Sequence, residues 1–436
     1  MYTKLYENAF QSTKLEEEDI RQMEEAVFTT ATQDVSNINI TNYVIETRSG
    51  LAESGIYLKD AYLLVQFNLA TQAGADLDAA DVVSLTHGAW SLFSQASLDV
   101  NQTQVDRNIN PGQSFNILTK ASKSHSWIID NCHDNFYYPA KFGAGIDPTL
   151  NGAIVIAADA SDNNFLVGDA LLNSSEKVWV KLRLADVLGF CNLEKVLTGV
   201  NLILRLQKNT DYSSILMRSN AGDAADLITI VDQIKLYIPT IKVKSRLAEK
   251  LNLKLLEEKP QPLDWQQIGY QQLTGTGTQL SMNLFTSGRR VRHLFVMPQL
   301  TAQLTAQLNK NASLGIVNSV SECYVMMNGQ QFPALKYQGA NEGYVREVAA
   351  LKRAFGTNRN VSSIVNELNF AGGNAIYYFD LSHQDDIFAD NQKDVVIQVY
   401  FTSAETNPQT FHCCYFTDQH HKLANIGGAL QISASN

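Results

Sequence analysis

The sequence predicts an all-β protein of two tandem jelly-roll β-sandwiches with short helices in the crossovers, and three observations carry that reading. The first is 177–209, where Val178, Val180, Leu182 and Leu184 share one face of a strand, and Val200, Leu202, Leu204 and Leu206 share one face of another. Gly199 is the turn residue before the second strand. The second observation is that 375–401 repeats this order, with a β-rich run at 376–379, a polar crossover, and Val395, Ile397, Val399 and Phe401 on one face of a strand. Third, many short strands fall into two successive units of about 200 residues each, which fits two sandwiches, and a jelly-roll is a common way for a sandwich to protect its edges.

Between the strands of 177–209, Asp186 is placed to cap a short helix that covers one end of the sheets with Val187, Leu188, Phe190, Leu193, Val196 and Leu197. From the start of the chain, Thr13, Lys14, Leu15 and Glu16 have capping-box spacing. Ile20, Met23 and Val27 then share a side, so 13–28 is read as an amphipathic helix. From 37 the pattern turns to strands, with Ile38, Ile40, Tyr43, Val44 and Ile45, then the strongly β-prone 56–69. Segment 97–105 reads as two strand arms around Asn101 and Gln102, followed by a helix over 114–129. Segment 140–175 is rich in Gly, Ala, Asp and Asn and reads as a long surface excursion. Segment 228–243 closes the first unit, and Pro260 and Pro262 mark a boundary.

The second unit follows the first with shorter loops. Segment 289–297 corresponds to 59–67, the Asn328-Gly329 hairpin signal to Asn101-Gln102, and a helical 344–355 to 114–129. The first unit therefore carries an insertion, and 140–175 is where it fits. The expected organisation is an N-terminal arm with a short helix (1–34), a first jelly-roll (35–244), a linker (245–262), a second jelly-roll (263–422) and a C-terminal tail (423–436).

A chain of 436 residues can bury one large core or two ordinary ones. With 18% charged and 45% hydrophobic residues it is a compact folded protein. A net charge of -10 argues against a surface built for phosphate backbones, so no sequence-specific nucleic-acid binding is expected. No apolar run approaches the roughly 20 residues that cross a bilayer, and the first residues lack the apolar core of a secretion signal. Five scattered cysteines (Cys132, Cys191, Cys323, Cys413, Cys414) suit reduced thiols in a protein made inside a cell, with no disulfide framework.

The candidate chemical groups are few. Cys132, His133 and Asp134 form one cluster, and His412, Cys413, Cys414, Asp418, His420 and His421 another. Neighbouring residues of a strand point to opposite faces, so core cysteines and surface histidines are the favoured reading. Gly275, Thr276 and Gly277 lack dinucleotide-fold spacing and read as a hairpin or loop. Asp385 and Asp386 read as a solvated loop or helix cap rather than an acid/base pair or calcium loop. Arg289, Arg290 and Arg292 read as partners of acidic neighbours. The glycosylation triplets at Asn39, Asn101, Asn173, Asn311 and Asn360 carry little weight without a signal peptide. No catalytic, cofactor or metal residues are assigned, and the chain reads as one built to be a shape, not an enzyme.

In layout the sequence resembles the double jelly-roll major capsid proteins of polinton-like viruses, virophages and related double-stranded DNA viruses. The block 178–207, with its 184–190 crossover, carries the likeness, supported by 97–105, 289–296 and 324–330. The resemblance implies a homotrimer forming a pseudo-hexagonal capsomer of an icosahedral shell around double-stranded DNA. It also implies a place in the virion beside neighbouring capsomers, vertex (penton) proteins and minor capsid proteins. The chain is short for that family, which implies a low-profile capsomer. The competing reading is a carbohydrate-binding or carbohydrate-active protein on two β-sandwiches, with Tyr137, Tyr138 and Trp265 as candidate aromatic platforms; it would need a carboxylate pair about 5 to 10 Å apart, and nothing in the sequence brings carboxylates to these aromatics.

Overall fold

In a computed structural model of the chain, the described residues are 20–31, 36–37, 39–47, 55–71, 83–137, 177–218, 227–243, 261–286, 289–301, 320–327, 330–338, 345–346, 350, 370, 374–382, 397–403, 408–426 and 429–434. They are mostly strand. The first unit runs β1 (Ile20–Thr29), β2 (Asn42–Glu46), β3 (Gly55–Tyr57), β4 (Tyr62–Thr71), β5 (Val83–Leu85), β6 (Phe93–Val100) and β7 (Thr103–Ile109). Two helices follow, α1 (Pro111–Ser122) and α2 (His125–Asn135). Then come β8 (Val178–Arg183), β9 (Val196–Thr198), β10 (Leu202–Lys208), α3 (Tyr212–Ile215), β11 (Leu216–Arg218) and β12 (Leu227–Val243). The second unit runs β13 (Gln261–Gly275), β14 (Gln279–Leu284), β15 (Val291–Leu300), β16 (Val320–Met327), β17 (Gln330–Gln338), β18 (Tyr377–Asp380), β19 (Ile397–Ser403), β20 (Gln409–Ile426) and β21 (Ala429–Ala434).

All pairings are antiparallel, and both units have one topology. In the first, β1 lies on one edge of β12, β4 and β3 follow each other along its other edge, and β8 and β9 continue outward from them. The facing sheet is β2-β10-β6-β7. In the second unit the sheets are β13-β20-β15-β18 and β14-β19-β16-β17. Lettering the eight main strands B to I along each unit gives the sheets B-I-D-G and C-H-E-F twice, which is the jelly-roll arrangement. The strands β5 and β11 form a separate ribbon, and β21 folds back on the end of β20.

The alternation read from the sequence sets the core. Val180, Leu182, Leu184, Leu202, Leu204 and Leu206 are buried, while Trp179, Lys181, Arg183, Arg205 and Gln207 are exposed. They pack against Phe67, Trp90, Phe93 and the rest of the first core. The second core gathers around Leu294, Phe295, Val325, Tyr377, Phe401 and Cys413.

Three expectations are corrected. The described part of 13–28 is a strand, because β12 presents an open row of backbone groups and β1 satisfies them from Ile20↔Val243 to Thr29↔Lys235. Ala26 and Phe28 then face the core, which the helical spacing of Ile20, Met23 and Val27 does not reveal. The single helix over 114–129 is two: Asn110 caps α1 from the left-handed region with Pro111 behind it, and Lys123 is extended. Ser124 Oγ then accepts the Trp127 N–H to start α2. The helix expected after Asp186 is two 3₁₀ turns (Leu184–Asp186 and Gly189–Asn192) and β9, and Asp186 makes no cap. Within 423–436, β20 runs to Ile426 and β21 pairs with it.

Segment 140–175 lies outside the described residues, as do 245–260 of the linker, Asn328 and Gly329. Only Val345, Arg346 and Ala350 of 344–355 are described, and they are helical.

The turn joining β6 and β7 places Asn101 at φ 48° and Gln102 at φ 69°. A two-residue hairpin turn of this hand favours Asn followed by Gly. Gln102→Gly is therefore expected to stabilise the protein by about 0.5 to 1 kcal/mol. An unchanged or lower midpoint in chemical denaturation would contradict this.

Candidate functional site: the seam between the sandwiches

The feature that sets this molecule apart from two beads on a string is the junction of its halves. The B-I-D-G sheet of the second unit is apolar on both faces. Phe411 and Cys413 of β20 face the unit's own second sheet, while Ile268 of β13 and Cys414 lie on the opposite face, the one that meets α1 of the first unit; nearer the start of β13, Leu263 and Trp265 join the core of the first unit, with Leu423 and Ile432 beside them. Traffic runs the other way through α1, whose Ile117 and Ala121 enter the second core. The two cores interlock. Burial of large side chains on this scale makes the halves one packed body rather than loosely tethered domains.

The first unit meets β13 with β7 and the 3₁₀ turn Gly189–Asn192. On β7 the usual alternation is inverted: Asp106 and Asn108 are buried, and Ile109 is exposed. The buried polar groups hold the turn. The Asp106 carboxylate accepts the N–H of Phe190 at 2.8 Å and of Arg107 at 2.7 Å. The Asn108 amide donates to the Val187 carbonyl at 2.9 Å, and its oxygen accepts from Ser114 Oγ at 3.1 Å. So fixed, the turn presses Gly189 onto β13, where an added methyl group would lie 1.8 Å from the Gln266 carbonyl oxygen. Phe190 stands edge-on to Trp265, ring centres 4.9 Å apart.

Polar bonds run along the seam. Gln267 accepts from Arg289 at 2.7 Å and from Gln419 at 3.0 Å, and Lys195 donates to the Pro262 carbonyl at 2.6 Å. The Asn110 amide donates to the Tyr270 hydroxyl, which lies 2.6 Å from His412 Nδ1. A cleft of about 350 Å³ opens beside them, lined among others by Gln104, Ile109, Gln267, Phe285 and Arg289.

Burial shifts the titrating groups here. It pushes the Asp106 carboxyl up to about 7, against the opposing pull of hydrogen bonds from Phe190, Arg107, Gln267 and Gly189. It lowers Lys120 of α1 to about 7. His412 falls to about 3 through burial and the neighbouring His87. Asp106 is held by backbone N–H groups of the turn, so its chemistry is structural support.

The candidates read from the sequence are dispersed. His133 and Asp134 are exposed near the end of α2, and the side chain of Cys132 lies outside the description. Cys413 meets Met282 of the facing sheet, Cys414 meets Ser114, Asp418 pairs with Arg292 at 2.5 Å, and His420 with Asp264 at 2.8 Å. His421 lies against Trp265. Among the described residues no three metal-ligating side chains converge. Arg289 binds Gln267 rather than an acid. Gly275, Thr276 and Gly277 lie at the turn from β13 to β14. Asp385, Asp386 and Tyr138 lie outside the described residues, and Tyr137 and Trp265 are buried, so neither offers a sugar platform. The seam residues were not foreseen. The signal that marks them is the run from Val105 to Ile109, in which Asp106 and Asn108 are buried next to Val105 while Arg107 and Ile109 are exposed.

Two predictions follow from this geometry. Gly189→Ala is expected to destabilise the protein by about 1 to 3 kcal/mol or more, since backbone must move to admit the methyl group. A thermal midpoint equal to wild type would refute the close approach. Asp106→Asn sets an amide N–H against one of two N–H donors and is expected to cost about 1 to 3 kcal/mol. In the wild type a carboxyl held near 7 when folded and near 3.8 when unfolded gives stability fully present below the lower value and lost as pH rises through the higher. His412 has the opposite sign, losing stability as pH falls from 6.5 towards 3. The comparison is therefore variant against wild type at each pH: the gap should narrow from pH 5 to pH 8, and a constant gap would sink the assignment.

No protein family model matches the sequence, and no curated protein does. Solved structures do. A chain of the Sputnik virophage structure superposes with a TM-score of 0.59 at 10% identity, covering 97% of this chain and 90% of its own. The Faustovirus major capsid protein gives 0.56 at 10% identity, over 92% and 90%. A chain of the PBCV-1 virus capsid gives 0.53 at 10% identity, over 98% and 100%. At such identity the likeness is one of architecture, and it spans both sandwiches and the seam between them: the chain has the double jelly-roll fold of viral major capsid proteins.

Proposed function

We propose that this chain is a major capsid protein with a structural rather than catalytic role, found in the virion. It forms homotrimeric, pseudo-hexagonal capsomers, and these tile an icosahedral shell around a double-stranded DNA genome. The observation that carries the reading is the pair of jelly-rolls of identical strand order locked by an apolar seam. One chain then supplies two equivalent positions, and three chains fill a ring of six. Neighbouring capsomers, vertex proteins and minor capsid proteins are the partners of such a ring, and 245–262 is the connector between its paired positions.

Shell formation asks for many modest contacts rather than one dominant patch. The polar, mixed-charge exposed faces of these sheets suit that. Light scattering after size exclusion tests the proposal: a stable trimer, or trimers that grow into particles visible by electron microscopy, is expected. A strict monomer at high concentration would overturn it.

A further inference from the structure

The cleft at the seam is polar where the inner face of a sandwich is ordinarily apolar. Along β20, Phe411 and Cys413 face the second unit's own second sheet, and Tyr415, Thr417, Gln419 and His421 follow them on that face by period two. On β13, Gln267 and Gly269 stand opposite Thr417 and Tyr415. Thr417 and Gln419 are buried, and bonds among these side chains offset part of their desolvation: Gln419 Nε2 donates to Gln267 Oε1 at 3.0 Å and to Thr417 Oγ1 at 3.3 Å. His421 Nδ1 is buried with no hydrogen-bond partner among the described residues.

The charge around the cleft is one-sided. Arg107 reaches it from β7 of the first unit and Arg289 from the second unit. Both guanidinium groups donate to amide oxygens, Arg107 to Gln95 at 2.8 Å and Arg289 to Gln267 at 2.7 Å, and among the described residues neither pairs with a carboxylate. Asp106, the one carboxylate in the described lining, is taken up by the N–H groups of Phe190 and Arg107. Burial and the neighbouring Arg289 and His420 lower the His421 imidazole, and an anion in the cleft would relieve that field. Two apolar side chains complete the lining: Phe285, 77% exposed, and Ile109, 49% exposed. Exposed apolar side chains scattered singly need no explanation, but these two share one cleft with two arginines that lack a carboxylate partner.

We infer that the cleft is a binding site for a small organic anion, whose oxyanion head, carboxylate or phosphate, is held by Arg107 and Arg289 and whose aromatic or aliphatic body lies against Phe285 and Ile109. Guanidinium presents paired N–H donors that fit either head. Its volume of about 350 Å³ is at the small end of ligand pockets, which run from about 300 to 1,000 Å³ and favour the junction of two domains. Because Arg107 and Ile109 belong to the first unit and Phe285 and Arg289 to the second, the ligand bridges the seam and stabilises it by mass action. The site lies within a single chain, so it stands or falls separately from the capsid reading.

Isothermal titration of the full-length protein with benzoate, phenyl phosphate, inorganic phosphate and benzyl alcohol tests the site. Benzoate or phenyl phosphate should bind about tenfold more tightly than inorganic phosphate, which lacks the body, and than benzyl alcohol, which lacks the charge. The tighter of the two names the head group, and the thermal midpoint should rise with its concentration. Arg107→Gln and Phe285→Ser, both at exposed positions, should keep the wild-type midpoint without ligand and weaken binding about tenfold each. Organic anions that bind no better than inorganic phosphate or benzyl alcohol, or that bind both variants as tightly as wild type, would overturn the site. So would the absence of binding at millimolar concentration.

Discussion

The whole arrangement depends on one sheet being buried on both faces. A β-strand offers alternate residues to opposite sides, so in an ordinary two-layer sandwich one set meets the core and the other meets water. Strands β13 and β20 break this rule: Phe411 and Cys413 serve their own core, Ile268 and Cys414 on the opposite face meet α1 of the neighbouring unit, and Leu263 and Trp265 enter that unit's core. Once that face must be dry, the partner surface has to come within backbone contact. Gly189 is where it does.

Bringing backbone that close costs polar groups their water, and the seam answers with charge-assisted and amide hydrogen bonds to loop N–H and C=O groups. Asp106 and Asn108 do for the 187–190 turn what a ladder does for a strand: they give its orphan groups partners. The same dryness keeps Lys120 and His412 from holding charge easily. The seam therefore carries opposing proton linkages, with Asp106 favouring lower pH and His412 favouring higher.

Period-two burial made much of the fold legible in the residues. The strands at 178–183 and 202–208, the hairpin at Asn101 and Gln102, and the duplicated order of elements were readable because each side chain's fate is set by its own sheet. What could not be read were features decided by distant partners. The segment at 20–29 has helical spacing and still pairs as a strand, because β12 leaves an edge that must be satisfied. Val196 and Leu197 read as the end of a helix, yet they extend along β3. The seam residues were hidden for the same reason: an aspartate within a strand looks like a surface residue until a turn from 84 residues away is laid on it.

The first strand of the first sandwich pairs with its last, Ile20 meeting Val243. During synthesis this sheet therefore cannot be completed until nearly the whole unit has left the ribosome, and its growing β-surfaces wait unpaired meanwhile. Contacts so far apart in sequence make closure slow, and slow closure exposes strand edges to other nascent chains. Leu263 and Trp265, which finish the first core, emerge soon after β12, so β13 lies close at hand to cover that sandwich before its own has formed.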